Sequence, residues 1–303
     1  MDLKWDGFIT GGVCWSVNTE KRLSDKKALE NFGYKVYSQN DEDGIINEIF
    51  KRIGVTTKEF IEFGVQNGLE SNCHFLLHKG WKGLWIEGDN EYCKEINLRF
   101  RPVIKHDILR VVNAFITEKN INTIIKKKAF STSPDFLSID IDGNDWYIWK
   151  KISIVSPRVV CIEYNGKFPP DVEWVQPYNP KHIWYGSDWQ GASLKSIEIL
   201  GKSKGYQLVA TNLNGVNAFF VRNDCINDLF MKMDTAEELY NPLRKDLMFN
   251  APGHDSEFCL ARQNDFICES QYFSSTKKYS NYYKKRKNKN SFINRCLRKV
   301  FRR

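Results

Sequence analysis

The chain has 303 residues, of which 42% are hydrophobic and 27% are charged. These are the values of a globular protein, and the length allows one substantial core with an appendage. No apolar run approaches the roughly 18 residues of a membrane span, and residues 1–30 contain no apolar signal segment, so we expect a cytoplasmic protein. Eight cysteines are spread without a C-x-x-C pair, which indicates reduced thiols and not a zinc site.

The net charge of +8 is concentrated in one part of the chain. Residues 276–303 hold 12 Lys and Arg and no acid, so the rest of the chain is slightly acidic. Apolar residues such as Phe292, Leu297 and Val300 interleave with the basic ones at helical spacing. This pattern predicts a basic tail that can lie peripherally on an anionic inner membrane surface, with a solvated tail as the alternative. No nucleic-acid-binding motif is present, so no nucleic acid partner is expected.

In chain order, residues 1–36 show no clear period and are interpreted as an N-terminal arm. Helical spacing of isoleucines in 45–53 predicts a helix, after which short apolar runs alternate with helical stretches. These runs predict strands near 59–65, 83–88, 101–107, 135–142 and 158–165. Alternation of this kind indicates a parallel sheet with right-handed crossovers.

Two further strands are predicted at 206–211 and 217–221. Between them, residues 212–215 form a turn sequence, and a link this short cannot make a crossover, so this pair must be antiparallel. The fold class is therefore α/β, with a mostly parallel seven-stranded sheet and an antiparallel last strand pair. Residues 226–275 are interpreted as a C-terminal extension of this domain.

The first two predicted strands end in the pattern of a nucleotide pocket. Glycines at Gly64 and Gly68 would let bare backbone approach a ligand, and Glu87, at the end of the next strand, could accept hydrogen bonds from both hydroxyls of a ribose. The spacing of the glycines is not that of G-x-G-x-x-G, and Glu62 would repel a pyrophosphate. A ligand with a ribose and no phosphate fits better, and S-adenosylmethionine is such a ligand.

Three segments carry a family resemblance: Tyr-Ser-Gln-Asn-Asp-Glu-Asp-Gly at 37–44, Glu-Phe-Gly at 62–64 and Ile-Asp-Ile-Asp-Gly-Asn-Asp at 139–145. Together with the acidic end at Glu87, they make the chain resemble the FkbM-like branch of the class I S-adenosylmethionine-dependent methyltransferases over residues 37–225. The resemblance implies a Rossmann-like methyltransferase fold. It also implies methyl transfer to an oxygen of a sugar or related metabolite, as in capsule or other surface polysaccharide biosynthesis.

These observations predict a set of cofactor-binding residues. They are Gln39, Glu62, Gly64, Gly68, Glu87, Gly88, Asp107 and Asp140. Among them, Asp107 is placed at the end of the predicted third strand, where it could contact the adenine amine.

Polar side chains end the fourth and fifth predicted strands. Asp140 and Asp142 are separated by one isoleucine in the fourth strand, and Glu163 and Asn165 are separated by one residue in the fifth. Because alternate residues of a strand share a face, each pair should point to the ligand crevice. Oxygen ligands of this kind suit Mg²⁺. We therefore expect a metal site at Asp142, Glu163 and Asn165, with Asp140 as a ligand or a support. The alternative is that these groups stabilise turns and pair with a Lys or Arg.

An insertion at about 167–194 follows the fifth strand and is rich in aromatic residues. Such a loop over the crevice is where a lid specific for the acceptor would lie. His182 and Asp188 in this lid, together with Asp142, are the candidate catalytic residues, each able to act as a general base on an acceptor hydroxyl. The alternative is that the aromatic residues only pack the loop and His182 lies on the surface.

The sequence therefore favours an S-adenosylmethionine-dependent O-methyltransferase that acts on a hydroxyl of a sugar or small polar metabolite. Two alternatives from other classes remain open. One is an NAD- or nucleotide-using Rossmann enzyme, against which the glycine spacing and the antiparallel strand pair argue. The other is a non-catalytic scaffold with a degenerate pocket.

Overall fold

The computed structural model describes residues 22–184 and 187–244. Its centre is a sheet of seven strands. They are β1 (Glu59–Phe63), β2 (Lys82–Glu87), β3 (Leu109–Asn113), β4 (Phe136–Ile139), β5 (Val159–Glu163), β6 (Tyr206–Thr211) and β7 (Asn217–Arg222). The strand order is β3-β2-β1-β4-β5-β7-β6, with β1 to β5 parallel and β7 antiparallel to both β5 and β6. This arrangement confirms the predicted fold class.

Helices cover both faces of the sheet. They are α1 (Glu42–Ile53), α2 (His74–His78), α3 (Asn90–Arg99), α4 (Arg101–Lys105), α5 (Ile121–Lys128), α6 (Asp145–Lys151), α7 (Leu194–Ser203) and α8 (Ala236–Leu239), with short 3₁₀ turns at Leu29–Phe32 and Asn223–Cys225. Alternate residues of β1 belong to two separate apolar clusters, since Ile61 lies in one and Phe60 in the other. The core therefore has two layers, one on each side of the sheet. Among the described helices, none combines the length and apolarity needed to cross a membrane.

The third strand lies later in the chain than predicted. Residues of the segment predicted as a strand at 101–107 form α4, whose first turn holds Pro102, where a missing N–H costs no hydrogen bond. The predicted strand at 101–107 is therefore wrong, and β3 begins only at Leu109. Asp107 lies in the turn before β3, at the amino end of the strand, where it is exposed and forms an ion pair of 2.6 Å with Arg110.

The fourth strand is shorter than predicted. β4 ends at Ile139, so Asp140 and Asp142 lie in the loop after it and do not alternate along a strand. Asp142 adopts a left-handed conformation with φ of 55°. The prediction that this pair alternates along a strand is therefore wrong, and the loop conformation determines where the two carboxylates point.

The start of α1 and the residues just before it connect to the hairpin between β6 and β7. Buried Glu42 accepts hydrogen bonds from the side-chain amides of Asn212 and Asn217, at 2.8 and 2.9 Å. Asn214 in turn donates to the side chain of Asn40 at 2.8 Å. Carboxylate hydrogen bonds of this kind are stronger than neutral ones, so the hairpin turn is fixed against the start of α1.

Part of the predicted N-terminal arm packs against the domain. Arg22 is buried and forms an ion pair with Glu30 at 2.8 Å, and its guanidinium also donates to the side chain of Asn241 at 2.8 Å. These contacts connect the segment from residue 22 to the segment after α8. Residues 1–21 and 245–303, which include most of the C-terminal extension and the whole basic tail, lie outside the described residues.

Candidate functional site

The carboxyl ends of β1, β2, β4 and β5 open into one cavity of about 610 Å³. This is the position at which open α/β sheets bind their ligands. Most of the residues predicted to act in the site line this cavity. The residues that do are Gln39, Gly64, Glu87, Gly88, Asp140, Asp142, Glu163, Asn165 and His182. Four others, Glu62, Gly68, Asp107 and Asp188, are not part of its lining.

Glu87 lies in the wall of the cavity at the end of β2. Each of its carboxylate oxygens accepts one backbone hydrogen bond of 2.8 Å, Oε2 from Gln66 and Oε1 from Asp89. The side chain thereby joins the loops that follow β1 and β2 and is held in one position. Burial raises the pKa of Glu87, although the two backbone hydrogen bonds oppose the shift.

The loop after β1 approaches β4 closely. Gly64 has φ of +71°, and a Cβ at this position would lie 1.6 Å from the carbonyl oxygen of Asp140, so the position admits only glycine. Gly68 also has a positive φ, but it packs against the rings of Trp85 and Phe100 and contributes to the turn instead of the cavity. Between them, Gln66 lines the cavity with φ of 48°, a conformation that a residue other than glycine rarely adopts.

Glu62 stabilises the strands next to the cavity without lining it. It is buried and accepts hydrogen bonds from the backbone of Asn72 at 2.8 Å, the hydroxyl of Ser71 at 3.0 Å and the indole of Trp85 at 2.8 Å. Burial raises its pKa to about 7. Because it does not reach the cavity, Glu62 connects β1, β2 and the start of α2 instead of contacting a ligand there.

The side of the cavity at β3 is apolar. Because β3 lies later than predicted, the residues that reach the cavity are Ala114, Phe115 and Ile116, and Asp107 lies at the opposite end of the strand. The prediction that Asp107 contacts an adenine is therefore corrected. The adjacent β-branched residues Val111 and Val112 are the sequence signal that could have placed this strand, and with it the apolar wall.

Three carboxylates meet on the other side of the cavity. Oxygen atoms of Asp140, Asp142 and Glu163 all lie within 4.8 Å of one another. Burial and then the charge of Asp142 raise the pKa of Asp140, and burial and then the charge of Asp140 raise that of Glu163. Burial followed by the charge of Asp145 raises the pKa of Asp142 to about 6. The cluster is therefore a region of strong mutual repulsion, which a cation or a shared proton would relieve.

Asp145 holds the loop that carries two of these acids. Its carboxylate accepts hydrogen bonds of 2.8 Å from the backbone N–H groups of Ile141 and Gly143. These bonds hold Asp142 in its left-handed conformation. In the sequence, Asp145 stands out only as part of the family motif, because its role depends on the loop and not on a strand.

Asn165 is engaged differently from the prediction. Its side-chain amide donates to the backbone carbonyls of Asp188 and Gln190, at 2.8 and 3.1 Å, and its oxygen accepts from the backbone of Lys167 at 3.3 Å. Asp140 therefore takes the place predicted for Asn165, beside Asp142 and Glu163. Asn165 instead connects the lid to the end of β5. Asp188 is fully buried and ion-paired with Lys167, so its carboxylate lies behind the cavity wall.

The lid is also fastened to the loop after β4. His182 Nε2 donates to the carbonyl oxygen of Asp142 at 3.0 Å, which leaves the lone pair of the neutral ring on Nδ1. A Cβ on Gly143 would lie 2.3 Å from the ring of His182, so a bare backbone is needed there. Asn144 donates to the carbonyl of Asn179 at 2.8 Å. Burial lowers the pKa of His182, so the ring is neutral at neutral pH.

No protein-family model matches the sequence, and comparison with curated proteins also found no match. Among solved structures, the chain is similar to a putative caffeoyl-CoA O-methyltransferase from Staphylococcus aureus, with 12% identity, a TM-score of 0.41, and coverage of 69% of this chain and 97% of that one. It is also similar to the N-terminal domain of EvdMO1 with SAH bound, at 12% identity and a TM-score of 0.38, covering 68% and 94%. An O-methyltransferase from Bacillus cereus in complex with SAH is 15% identical with a TM-score of 0.33, covering 49% and 66%. At these identities and TM-scores, the likeness carries no information on the activity.

Proposed function

We propose that the protein is an S-adenosylmethionine-dependent O-methyltransferase that acts on a hydroxyl of a sugar or small polar metabolite. The observation that carries this proposal is the position of Glu87. Its carboxylate is fixed in the cavity wall by two backbone hydrogen bonds and lies at the end of the strand next to Gly64. A carboxylate in this position is suited to the two hydroxyls of a ribose.

The residues present fit S-adenosylmethionine. Each oxygen of Glu87 has accepted one hydrogen bond and can accept another, which matches a pair of ribose hydroxyls. Ile86, Phe115 and Ile116 offer an apolar surface to a purine, and the backbone of Gly64, which lines the cavity, could contact the amino acid portion. Gln39, Gly88 and Asp140 complete the proposed set of cofactor contacts on the cavity wall.

The charge of the cavity argues against a cofactor with a pyrophosphate. Within the described residues, the lining contains several acids, among them Glu87, Asp89 and Asp140, while Lys167 is its single Lys or Arg. A pyrophosphate would be repelled by this surface, whereas a sulfonium cation would be attracted. This difference favours S-adenosylmethionine over NAD.

When bound, S-adenosylmethionine supplies an electrophilic methyl group. The contribution of the chain is to position the acceptor hydroxyl and to remove its proton. Without a bound cation, Asp142 has a pKa of about 6, so it is mostly ionised at neutral pH and can accept that proton. Neutral His182 offers Nδ1 as a second candidate base. Buried Asp188 is the weakest of the three predicted catalytic residues, because its ion pair with Lys167 keeps it out of the cavity lining.

A divalent cation such as Mg²⁺ is part of the proposal. The carboxylates of Asp140, Asp142 and Glu163 would hold the ion, since their oxygens lie close enough together to share one. An ion bound there would supply the positive charge that lowers the pKa of an acceptor hydroxyl. The supporting observation is the crowding of three carboxylates whose pKa values are all raised.

Titration calorimetry tests the cofactor directly. The full chain should bind S-adenosylmethionine and S-adenosylhomocysteine but not NAD. Binding of NAD instead would point to the nucleotide-using alternative, and binding of none of the three would point to a scaffold. Methyl transfer from radiolabelled S-adenosylmethionine to a panel of sugars would then identify the acceptor and test the proposed role in polysaccharide synthesis.

The proposal also includes peripheral association with an anionic membrane through residues 276–303, which lie outside the described residues. Removal of this segment should reduce binding to vesicles that contain anionic lipid, most clearly at low salt. Equal vesicle binding by the full-length protein and the protein without residues 276–303 would contradict this part of the proposal.

A further inference from the structure

Three large apolar side chains that line the cavity are exposed to solvent. They are Tyr92, Phe115 and Ile183, with exposed fractions of 37%, 44% and 74%. Single apolar residues on a surface are ordinary, but three in the lining of one ligand cavity form a set that bound molecules can cover. The position of each side chain relative to Glu87 and to the three carboxylates indicates which molecule covers it.

Tyr92 and Phe115 lie on the side of the cavity proposed for the cofactor. Tyr92 belongs to the first turn of α3, where its N–H donates to Asp89 Oδ1 at 3.2 Å. The ring of Phe115 lies over the residue after Glu87, since a Cβ on Gly88 would be 3.3 Å from it. A purine that binds next to Glu87 can cover both rings, so the proposed cofactor accounts for their exposure.

Ile183 lies on the other side of the cavity. Its neighbour His182 donates to the carbonyl oxygen of Asp142 at 3.0 Å, and the ring of His182 lies against the backbone of Gly143. Ile183 is therefore close to the loop that carries two of the three carboxylates, where the proposed acceptor hydroxyl reacts. The cofactor does not account for the exposure of this side chain.

Hydrogen bonds hold the residues on both sides of Ile183. The backbone N–H of His182 donates to the carbonyl of Asn179 at 2.9 Å, in addition to the bond from its ring to Asp142. The indole N–H of Trp184 donates to the carbonyl of Ser187 at 2.9 Å. These bonds keep Ile183 in its exposed position. A molecule bound in the cavity can remove the side chain from water without breaking them.

The character of the cavity wall changes between the carboxylates and the lid. Asp140, Asp142 and Glu163 present carboxylate oxygens, to which a hydroxyl group can donate. Ile183 and half-buried Trp184, which also line the cavity, present an aliphatic and an aromatic side chain. A molecule that fills this side of the cavity is complementary to both surfaces if it has a hydroxyl at one end and an apolar group at the other.

We infer that the acceptor is amphiphilic, with an alkyl or aryl substituent that packs on Ile183 while its hydroxyl lies at the carboxylates. This inference rests on the proposed function and names the acceptor class as a glycoside with an apolar aglycone. Because His182 and Ile183 are consecutive, with Cα atoms about 3.8 Å apart, the substituent is attached close to the reacting hydroxyl. Covering an apolar side chain of this size strengthens binding about tenfold.

The experiment measures binding of glycosides by calorimetry to the full chain saturated with S-adenosylhomocysteine. The probes are the methyl, hexyl and phenyl glycosides of glucose, galactose and mannose, in which hexyl and phenyl distinguish an alkyl from an aryl substituent. The test variant is Ile183→Ser, and Ile183→Leu keeps an apolar side chain of equal size. The matched control is Leu98→Ser, because Leu98 is 78% exposed on α3 and lies outside the cavity lining.

For at least one sugar, we expect the hexyl or phenyl glycoside to bind about tenfold more tightly than the methyl glycoside. Ile183→Ser should lose most of this difference, whereas Ile183→Leu and Leu98→Ser should retain it. All variants should keep their affinity for S-adenosylhomocysteine, because Ile183 lies away from Glu87. A purely structural role of Ile183 would instead weaken binding of the methyl and the apolar glycosides equally, and would contradict the inference.

Two further results would overturn the inference. One is that no hexyl or phenyl glycoside binds more tightly than its methyl counterpart, and the other is that Ile183→Ser retains the full difference. If that variant instead loses binding to lipid vesicles, Ile183 contacts a membrane and not the acceptor. Because S-adenosylhomocysteine binding is measured separately, these results leave the proposed cofactor intact. Failure of the unchanged chain to bind S-adenosylhomocysteine would contradict the proposed function itself.

Discussion

Gly64 and Asp140 touch through their backbones at the point where β1 and β4 end. A Cβ on Gly64 would lie 1.6 Å from the carbonyl oxygen of Asp140, and the positive φ of Gly64 independently disfavours any other residue. This contact sets the distance between the proposed cofactor side of the cavity and the three carboxylates. The glycine is thus needed for the relative position of the two strands.

Gly64→Ala should reduce the free energy of unfolding by more than about 3 kcal/mol, because the added carbon overlaps backbone that cannot move freely. The control is Gly80→Ala, where φ is +77° but no atom lies within 4 Å of the added Cβ. That variant should lose only about 1 kcal/mol from backbone strain. Urea unfolding compares the two, and equal losses would show that the contact with Asp140 does not matter.

Glu87→Ala should weaken binding of S-adenosylhomocysteine by about 1.5 to 3 kcal/mol, the usual effect of losing hydrogen bonds to a charged group. Part of this loss would come from the loops that Glu87 holds through Gln66 and Asp89. Glu91→Ala, on the exposed face of α3, is the control and should bind normally. Calorimetry provides the measurement, and an unchanged affinity of Glu87→Ala would remove the main support for the proposed function.

Asp41 should make the stability of the protein depend on pH. Burial and then the charge of Glu42 raise its pKa from 3.8 to about 7, and one of its oxygens is buried without a partner among the described residues. Because the folded state favours the protonated form, this contribution is complete below about pH 4 and is lost as the pH rises through about 7.

Asp41→Asn cannot ionise, so the variant should match the unchanged chain near pH 4 and exceed its stability near pH 8. The expected gain near pH 8 is on the order of 2 kcal/mol. Asp171→Asn, at an exposed position, serves as the control. Chemical denaturation at the two pH values measures the difference, and a gain that is the same at both would disprove the proposed titration.

Methyl transfer should require a divalent ion. EDTA should abolish turnover, added Mg²⁺ should restore it, and Asp142→Asn should lose turnover while S-adenosylhomocysteine still binds. At limiting Mg²⁺, activity should rise with pH, because a proton on Asp142, whose pKa burial raises, competes with the ion for the carboxylate. Full turnover in EDTA would favour proton transfer to Asp142 or His182 without a metal.

The predictions that the structure confirmed came from local signals. Short apolar runs that alternate with helical patterns located β1, β2 and β5, and the short turn before Val216 required an antiparallel pair. The same strand assignments predicted that the glycine after the first strand and the acid at the end of the second lie in one site, because strand ends of a parallel sheet meet at one edge. Both Gly64 and Glu87 accordingly line the cavity.

The third strand shows where local signals fail. The sequence of 101–107 contains Val103 and Ile104, which resemble a short strand, but Pro102 at the start of a helix and contacts with neighbouring elements decide otherwise. Since propensity differences are small compared with packing, the tertiary context determines the outcome. This error moved the third strand and, with it, the residue expected beside the adenine.

By itself, the sequence determined the order of elements, the parallel sheet with its antiparallel pair, and the edge at which Gly64, Glu87, Asp142 and Glu163 gather. Only the tertiary structure decided which polar atoms face the cavity. The amide of Asn165 bonds to the lid, and Asp140 lies in its place beside the other two carboxylates. Gln190, 27 residues further along the chain, forms a hydrogen bond with Glu163. Loop conformation and long-range hydrogen bonds fix such positions, and neither leaves a periodic pattern in the chain.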